Sequence, residues 1–373
     1  MNKKIVTIIL CTMAVFSLSA QTAADIAQMR QDAEAGMPRA QVKLGNCLLS
    51  GQGVPVNHVE AVKWYTKAAQ SGNIEAQFNL AYCYEKGFGV QKDWDAAVKW
   101  YTQAAERGNT SAMNSLGHLY DTGDAGFDKN YTKAASWYQK AANQGHALAM
   151  FNLGNCYYLM KGVDLDYKEA IKWWEKSAAK GNIAAYYNLG YSYLKGEGVA
   201  PDTVRAFNYF QRLADSGDAR ALFEVGKMYA NGHGVAQDNM TAMQYYTKSA
   251  EKGNANAQMA LGRYYDKGVY VERDYDLAAK WYLKAAEQGN IDAMYNIGNL
   301  YYNGFGVARD YNEAAKWMEK AAMEGNASAM TGLGICYYYG HGVKKDKDTG
   351  REWIKKASVM GDEYAKEVLQ KIK

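Results

Sequence analysis

Two serines have the spacing of an acyl-transfer nucleophile. Ser177 stands three residues before Lys180, and Ser249 three before Lys252, an arrangement in which a lysine one helical turn away can take the hydroxyl proton. No Lys-Thr-Gly or Ser-Asp-Asn element accompanies either pair, so the partners of that mechanism are missing. Cys47, Cys83, Cys156 and Cys336 invite a disulfide framework. Asp121, Asp124 and Asp128 offer hard oxygen ligands for Ca²⁺, but not in the order of an EF-hand loop, and a hydrated acidic turn is the simpler reading. His58, His118, His146, His233 and His341 show no metal-ligand spacing. Glycine pairs such as Gly87 with Gly89, or Gly232 with Gly234, would cradle a phosphate only behind a strand, and none precedes them.

Nearly all of these residues fall at fixed places in a repeating stretch. Its clearest copy runs from Ile291 to Asn326. Ala293, Ile297, Gly298 and Tyr301 predict one amphipathic helix, A, and Ala314, Trp317, Ala321 and Ala322 a second, B. Gly304 and Gly306 supply the turn, Asp310 with Glu313 predicts a capping box, and Gly325 stops helix B. The stop recurs at Gly36, Gly72, Gly108, Gly145, Gly181, Gly217, Gly253, Gly289, Gly325 and Gly361, in steps of 36 residues with one of 37. A hairpin of about this length cannot bury both faces, so it must stack on neighbours.

The pattern Ala…Leu-Gly…Tyr…Gly-x-Gly-Val…Asp…Ala…Trp…Ala-Ala…Gly resembles the Sel-one-like repeat, a relative of the tetratricopeptide repeat, over nearly all of the chain beyond residue 20. The resemblance implies an all-α fold, a right-handed α/α superhelical solenoid, that serves as a protein-binding scaffold without catalysis or cofactor of its own. Some secreted, cysteine-rich proteins of this type are described as β-lactamases or penicillin binders, which makes a cell-wall or β-lactam hydrolase the alternative. Those carry paired cysteines within each repeat, a spacing missing here.

The copies can be compared with one another. A small residue holds one helix A register throughout, from Ala40 and Ala76 to Ala293 and Ala329, as close helix packing requires. The Leu-Gly pair is equally fixed, with Ala81 as the exception at the glycine. Helix B keeps a large ring at Trp64, Trp100, Trp137, Trp173, Trp281, Trp317 and Trp353, with Tyr209 and Tyr245 between, predicting a wedge between helices rather than a sugar-stacking ladder. The cysteines share one helix A register, so stacked copies should hold their Cα atoms too far apart for a disulfide, and buried thiols are expected. Two other helix A registers, three residues apart and therefore on one stripe, vary from copy to copy. By resemblance this stripe lines the concave groove. Asn79, Asn152, Asn155, Asn188, Asn296 and Asn299 would bind the backbone of an extended peptide, Tyr82 and Tyr191 would sit among them, and Lys227 with Arg263 would take a carboxylate.

Residues 1–20 have the layout of a secretory signal, with Lys3 and Lys4 before the apolar run Ile5 to Phe16 and Ser19-Ala20 at its end. The expected organisation is a signal peptide over 1–20, a B-type cap over 21–36, nine repeats over 37–361 and an A-type cap over 362–373. A periplasmic, secreted or cell-surface location follows, and the capped ends point to a monomer. Removing Lys3 and Lys4 leaves 41 basic against 39 acidic residues, which favours neither nucleic acid nor anionic lipid as partner. No second apolar run is long enough to span a membrane. Two repeats depart from the pattern: Thr122 to Asn130 holds the extra residue, with Phe127 in place of the usual valine, and Met160 replaces a turn glycine.

Overall fold

The computed structural model describes residues 24–123 and 127–372. The segment expected to be a signal peptide, 1–20, and Asp124 lie outside the described residues. A lone helix α1 covers 24–34. Nine hairpins follow: α2 (Pro38–Ser50) with α3 (His58–Gln70), α4 (Ile74–Lys86) with α5 (Trp94–Glu106), α6 (Thr110–Thr122) with α7 (Tyr131–Asn143), α8 (Ala147–Tyr158) with α9 (Tyr167–Ala179), α10 (Ala184–Lys195) with α11 (Thr203–Asp215), α12 (Ala219–Asn231) with α13 (Asn239–Glu251), α14 (Ala255–Lys267) with α15 (Tyr275–Glu287), α16 (Ile291–Asn303) with α17 (Tyr311–Met323), and α18 (Ala327–Tyr339) with α19 (Lys347–Val359). Helix α20 (Glu363–Lys371) repeats helix A alone. The architecture is the expected all-α solenoid. It divides into two compact units, up to Ala185 and from Tyr186 on, built to the same rules.

Junctions between hairpins waste almost no residues. Gly325 takes φ 91° after α17, and the next amide, Asn326, donates to Ala321 O, closing the helix with a Schellman bond. The same Asn326 then caps α18, its side chain accepting from the Ala329 amide at 2.8 Å. Helix B is capped by Asn or Asp, and here the expected capping box is only half formed. Asp310 accepts from the Asn312 and Glu313 amides, while its own amide donates to Tyr301 O on helix A and Glu313 pairs with Lys316. The reciprocal bond has no donor left. The cap amide instead fastens the turn to helix A.

In seven of the nine hairpins the Leu-Gly pair, or Leu80-Ala81 in the second, receives a ring from helix B, its place being filled by Met318 and Ile354 in the last two, and that ring is not the tryptophan. The deep residue is the one after it: Tyr65, Tyr101, Tyr138, Trp174, Phe210 and Tyr282 are all at most 1% exposed. A Cβ on Gly117 would sit 2.5 Å from the Tyr138 ring, and one on Gly226 would sit 2.8 Å from Tyr246. Glycine is therefore the socket of the ring. The tryptophans lie further out, Trp64, Trp173 and Trp317 buried and Trp100, Trp137, Trp281 and Trp353 half-buried. A lysine one turn on stands over the ring in six of these seven copies, at 4.0 Å in Trp173 with Lys176 and 5.1 Å in Trp353 with Lys356.

The second turn glycine seats each hairpin on the one before. A Cβ on Gly89, Gly234, Gly306 or Gly342 would overlap the carbonyl of the first residue of the preceding helix B: His58, Thr203, Tyr275 and Tyr311 respectively. Residues between the turn glycines add ring contacts to the same residue, as in Phe305 on Tyr275 at 4.9 Å and His341 on Tyr311 at 4.6 Å. In the irregular third turn Phe127 does this for Trp94 at 5.8 Å and joins the surrounding core, as expected of a valine substitute.

Candidate functional site

None of the ten predicted stripe residues is buried. Tyr82 and Arg263 are exposed, and Asn79, Asn152, Asn155, Asn188, Tyr191, Lys227, Asn296 and Asn299 are half-buried. In the first unit several already have work inside the fold. Tyr65 donates its hydroxyl to Asn46 Oδ1 at 2.7 Å, and Asn79 Nδ2 donates to the same oxygen at 3.0 Å. Trp174 Nε1 donates to Asn155 Oδ1 at 3.1 Å, and Asn152 Nδ2 to Asn114 Oδ1 at 3.1 Å. Tyr82 meets Phe88 edge to face at 6.0 Å.

The cause is the buried ring. A hydroxyl or indole N–H taken into the hairpin needs an acceptor, since leaving it unpaired costs about 1–3 kcal/mol. Helix A supplies that acceptor from the stripe, as in Asn46 and Asn155, or one turn further on. Glu85 Oε2 accepts from Tyr101 at 2.8 Å, and Asp266 Oδ2 accepts from Tyr282 at 3.2 Å. Burial, reinforced by these carboxylates, pushes the Tyr101 and Tyr282 hydroxyls well above the ordinary tyrosine range.

In the second unit the expected cation pair does not form a joint carboxylate site. Lys227 Nζ is bound to Glu224 at 2.9 Å, and Glu224 is itself buried at 6% exposure. Tyr191, whose hydroxyl is raised first by burial and then by bonds to Tyr187 and Glu224, closes over the same carboxylate. A buried carboxylate needs a counter-charge, so the charge of Lys227 is spent. Arg263 is in no ion pair among the described residues. It borders a cavity of about 580 Å³ with Lys227, Phe223, Tyr246, Tyr264 and Tyr270.

That cavity has a local cause. Tyr270 stands where other copies place the second turn glycine and keeps the left-handed φ of 64° that glycine would take freely. Its Cβ prevents the close seating seen at Gly234 and Gly306. Tyr270 and Asn239, the first residue of the preceding helix B, both border the opening.

The other candidates are accounted for by the frame. Ser177 and Ser249 are wholly buried and donate to Ala147 O at 2.7 Å and Ala219 O at 2.6 Å, so neither presents a nucleophile. Lys180 and Lys252 extend toward Gly145 and Gly217 at the end of the preceding helix B, where a cation suits the helix dipole. The four cysteines among the described residues carry free thiols. Burial pushes Cys83 and Cys156 up to about 12 and Cys336 to about 11, while Cys47 is half-buried. Asp121 is paired with Lys161 at 2.9 Å, and the described residues contain no cluster of three or more His, Cys, Asp or Glu able to hold a metal. His146 caps α8 through Nδ1, and burial lowers its pKa.

The family model of the Sel1 repeat matches nine times in succession, over 38–73, 74–109, 110–146, 147–182, 183–218, 219–254, 255–290, 291–326 and 327–362. The chain belongs to the Sel1 repeat family. Its hairpins are similar to those of a protective antigen of uropathogenic Escherichia coli with the SLR fold, at 35% identity over 92% of this chain and 73% of that one, with a TM-score of 0.80. A Sel1 repeat protein from Oxalobacter formigenes is 30% identical over 83% of this chain and 90% of its own, with a TM-score of 0.66. Among curated proteins none matches. Sel1 repeat proteins mediate protein–protein interaction.

For this Sel1 chain, sequence reasoning missed three features that leave a trace in the sequence. The buried ring is the large residue immediately after the tryptophan register. The lysine lid is a Trp-x-x-Lys spacing. The cavity is announced by Gly268-Val-Tyr270, the copy in which the Gly-x-Gly pair loses its second glycine.

Proposed function

We propose that this Sel1 chain is an exported scaffold, without catalysis of its own, that binds a protein or an extended peptide through the helix A stripe as a monomer. The observation that carries the reading is the contrast between registers. The Ala and Leu-Gly positions are buried in nearly every copy and nearly uniform, whereas the ten predicted stripe residues stay exposed or half-buried and their registers change from copy to copy. The export half of the reading is supported by the basic, apolar and small-residue order of residues 1–20.

The test uses an Asn188→Ala, Asn296→Ala, Asn299→Ala variant as the control in a capture experiment on a periplasmic and envelope extract. Partners kept by the wild type and lost by the variant, with helicity and melting temperature unchanged, support the groove. Partners bound equally by both proteins place binding on another surface. Cell fractionation with N-terminal sequencing checks export, and a mature terminus at Gln21 is the expected result.

A further inference from the structure

The cavity between α12, α14 and the Tyr270 turn carries a more specific assignment, which rests on the peptide-groove reading. We infer that it receives an acidic side chain of an extended peptide together with the apolar or aromatic side chain next to it, the carboxylate meeting Arg263.

Charge around the opening is divided unequally. Lys227 is neutralised by Glu224, and Asp292 on the far wall accepts from Asn326 Nδ2 at 3.3 Å. Arg263 and Lys267 both border the cavity, and neither is in an ion pair among the described residues. Two cations without carboxylates face one carboxylate, whose charge a neutral amide donor does not cancel, so the opening keeps an excess of positive charge and attracts an anion. Arg263 presents a planar donor fork, which matches a carboxylate in two parallel bonds.

The walls are of the other kind. Phe223, Tyr246, Tyr264 and Met259 line the interior, and a volume of about 580 Å³ accommodates a bulky side chain beside the charged one. The Cβ of Tyr270 keeps this space open at the cost of close seating, and a left-handed φ on a non-glycine residue persists where the surroundings or a function sustain it. A polypeptide passing through, rather than ending here, suits the flanks. Asn296 and Asn299 continue the stripe on α16, and Asn188 and Tyr191 on α10, so amide-bearing positions lie on both sides within the same unit.

Random heptapeptides displayed internally on phage, with no free terminus near the insert, are selected on the purified chain, on Arg263→Ala and on Arg263→Glu. The expected result is enrichment of Asp or Glu beside Phe, Tyr, Leu or Met on the wild type. That enrichment should disappear on Arg263→Ala and turn to Lys or Arg on Arg263→Glu. A selected peptide resynthesised with both ends blocked should bind Arg263→Ala at least about tenfold more weakly, and its Gln analogue should bind the wild type equally weakly. Arg263 is exposed, so circular dichroism and melting should be unchanged in both variants.

Enriched peptides without an acid, or acid enrichment indifferent to Arg263, overturn the assignment. If unblocked peptides bind only through a free C-terminal carboxylate, the internal-acid assignment is overturned in favour of a chain end. Peptides lost on Asn188→Ala, Asn296→Ala, Asn299→Ala but kept on Arg263→Ala overturn this assignment and leave the groove standing, whereas no enrichment on the wild type removes both.

Discussion

Gly306 and Gly325 look equivalent in sequence, one per repeat and both left-handed, yet replacing each by alanine should have different consequences. Gly325 has φ 91°, and nothing lies within 4 Å of where its Cβ would go. Alanine there carries the left-handed penalty of about 1–2 kcal/mol, offset by about 0.4–1 kcal/mol because the unfolded chain loses freedom. The net cost is about 1 kcal/mol. Gly306 has φ 64° and the same penalty, but its Cβ would overlap the Tyr275 carbonyl and lie 2.7 Å from the Asp276 amide nitrogen. The turn must lift by on the order of 1 Å, which opens the seam between the α14–α15 and α16–α17 hairpins. Lifting also gives up the stacked Phe305–Tyr275 contact, worth about 0.5–1.5 kcal/mol, within an overpacking cost of about 1–3 kcal/mol. Gly306→Ala should therefore cost about 3 kcal/mol against about 1 for Gly325→Ala. Stacked repeats open piecewise, so the readout is amide exchange in α15 to α17, not a single melting point. The difference of about 2 kcal/mol corresponds to roughly thirtyfold faster exchange there in Gly306→Ala. Equal exchange in the two variants would show that close seating is not what demands glycine, and the account of the Tyr270 cavity would fail with it.

Three further outcomes are expected. In the native chain Cys47 should react first with a thiol reagent, while Cys83, Cys156 and Cys336, pushed to about 12, about 12 and about 11 by burial, should react only after urea; prompt labelling of all four would contradict their placement. The cap carboxylates Asp238 and Asp346 are held below the ordinary range by bonds from the Thr241 and Thr349 hydroxyls and amides. Their contribution is present above the unfolded value and lost as pH falls through the lowered folded value. Melting temperature should consequently fall more steeply below about pH 4 in the wild type than in Asp238→Asn, Asp346→Asn; identical slopes would refute the capping account. Mass spectrometry after a reactive penicillin should find no adduct at Ser177 or Ser249, whose hydroxyls are wholly buried; an adduct lost in Ser177→Ala or Ser249→Ala would revive the hydrolase reading.

The frame was legible because steric necessity repeats. A glycine every 36 residues, an alanine register and an Asn or Asp before each helix B each have one physical cause, and nine copies display it. The lone B-type helix, expected within 21–36, lies over 24–34. Pairing was not legible in the same way. Asp310 with Glu313 matches a capping box, but the sequence does not say that the Asp310 amide already belongs to Tyr301 O. Lys227 and Arg263 occupy one register in adjacent copies, yet a glutamate three residues before Lys227 pairs with the first, and the second is in no ion pair among the described residues. Such outcomes depend on which neighbour reaches first, a property of three-dimensional packing.

The acceptor demand of helix B also sorts the stripe into positions the fold needs and positions it does not. Where the deep ring carries a polar hydrogen, helix A must answer it, and Asn46 and Asn155 are held for Tyr65 and Trp174. In three copies the deep residue is Phe210, Met318 or Ile354, which donates nothing. Phe210 and Met318 therefore make no such demand on the stripe residues of their hairpins, and Tyr191 is held instead by Tyr187 and Glu224. Arg263 is released by another route, because Tyr282 takes its acceptor from Asp266 one turn further along α14. Tyr82 is released in the same way, because Tyr101 takes its acceptor from Glu85 one turn further along α4, so the acceptor demand explains individual stripe residues copy by copy and not the stripe as a whole.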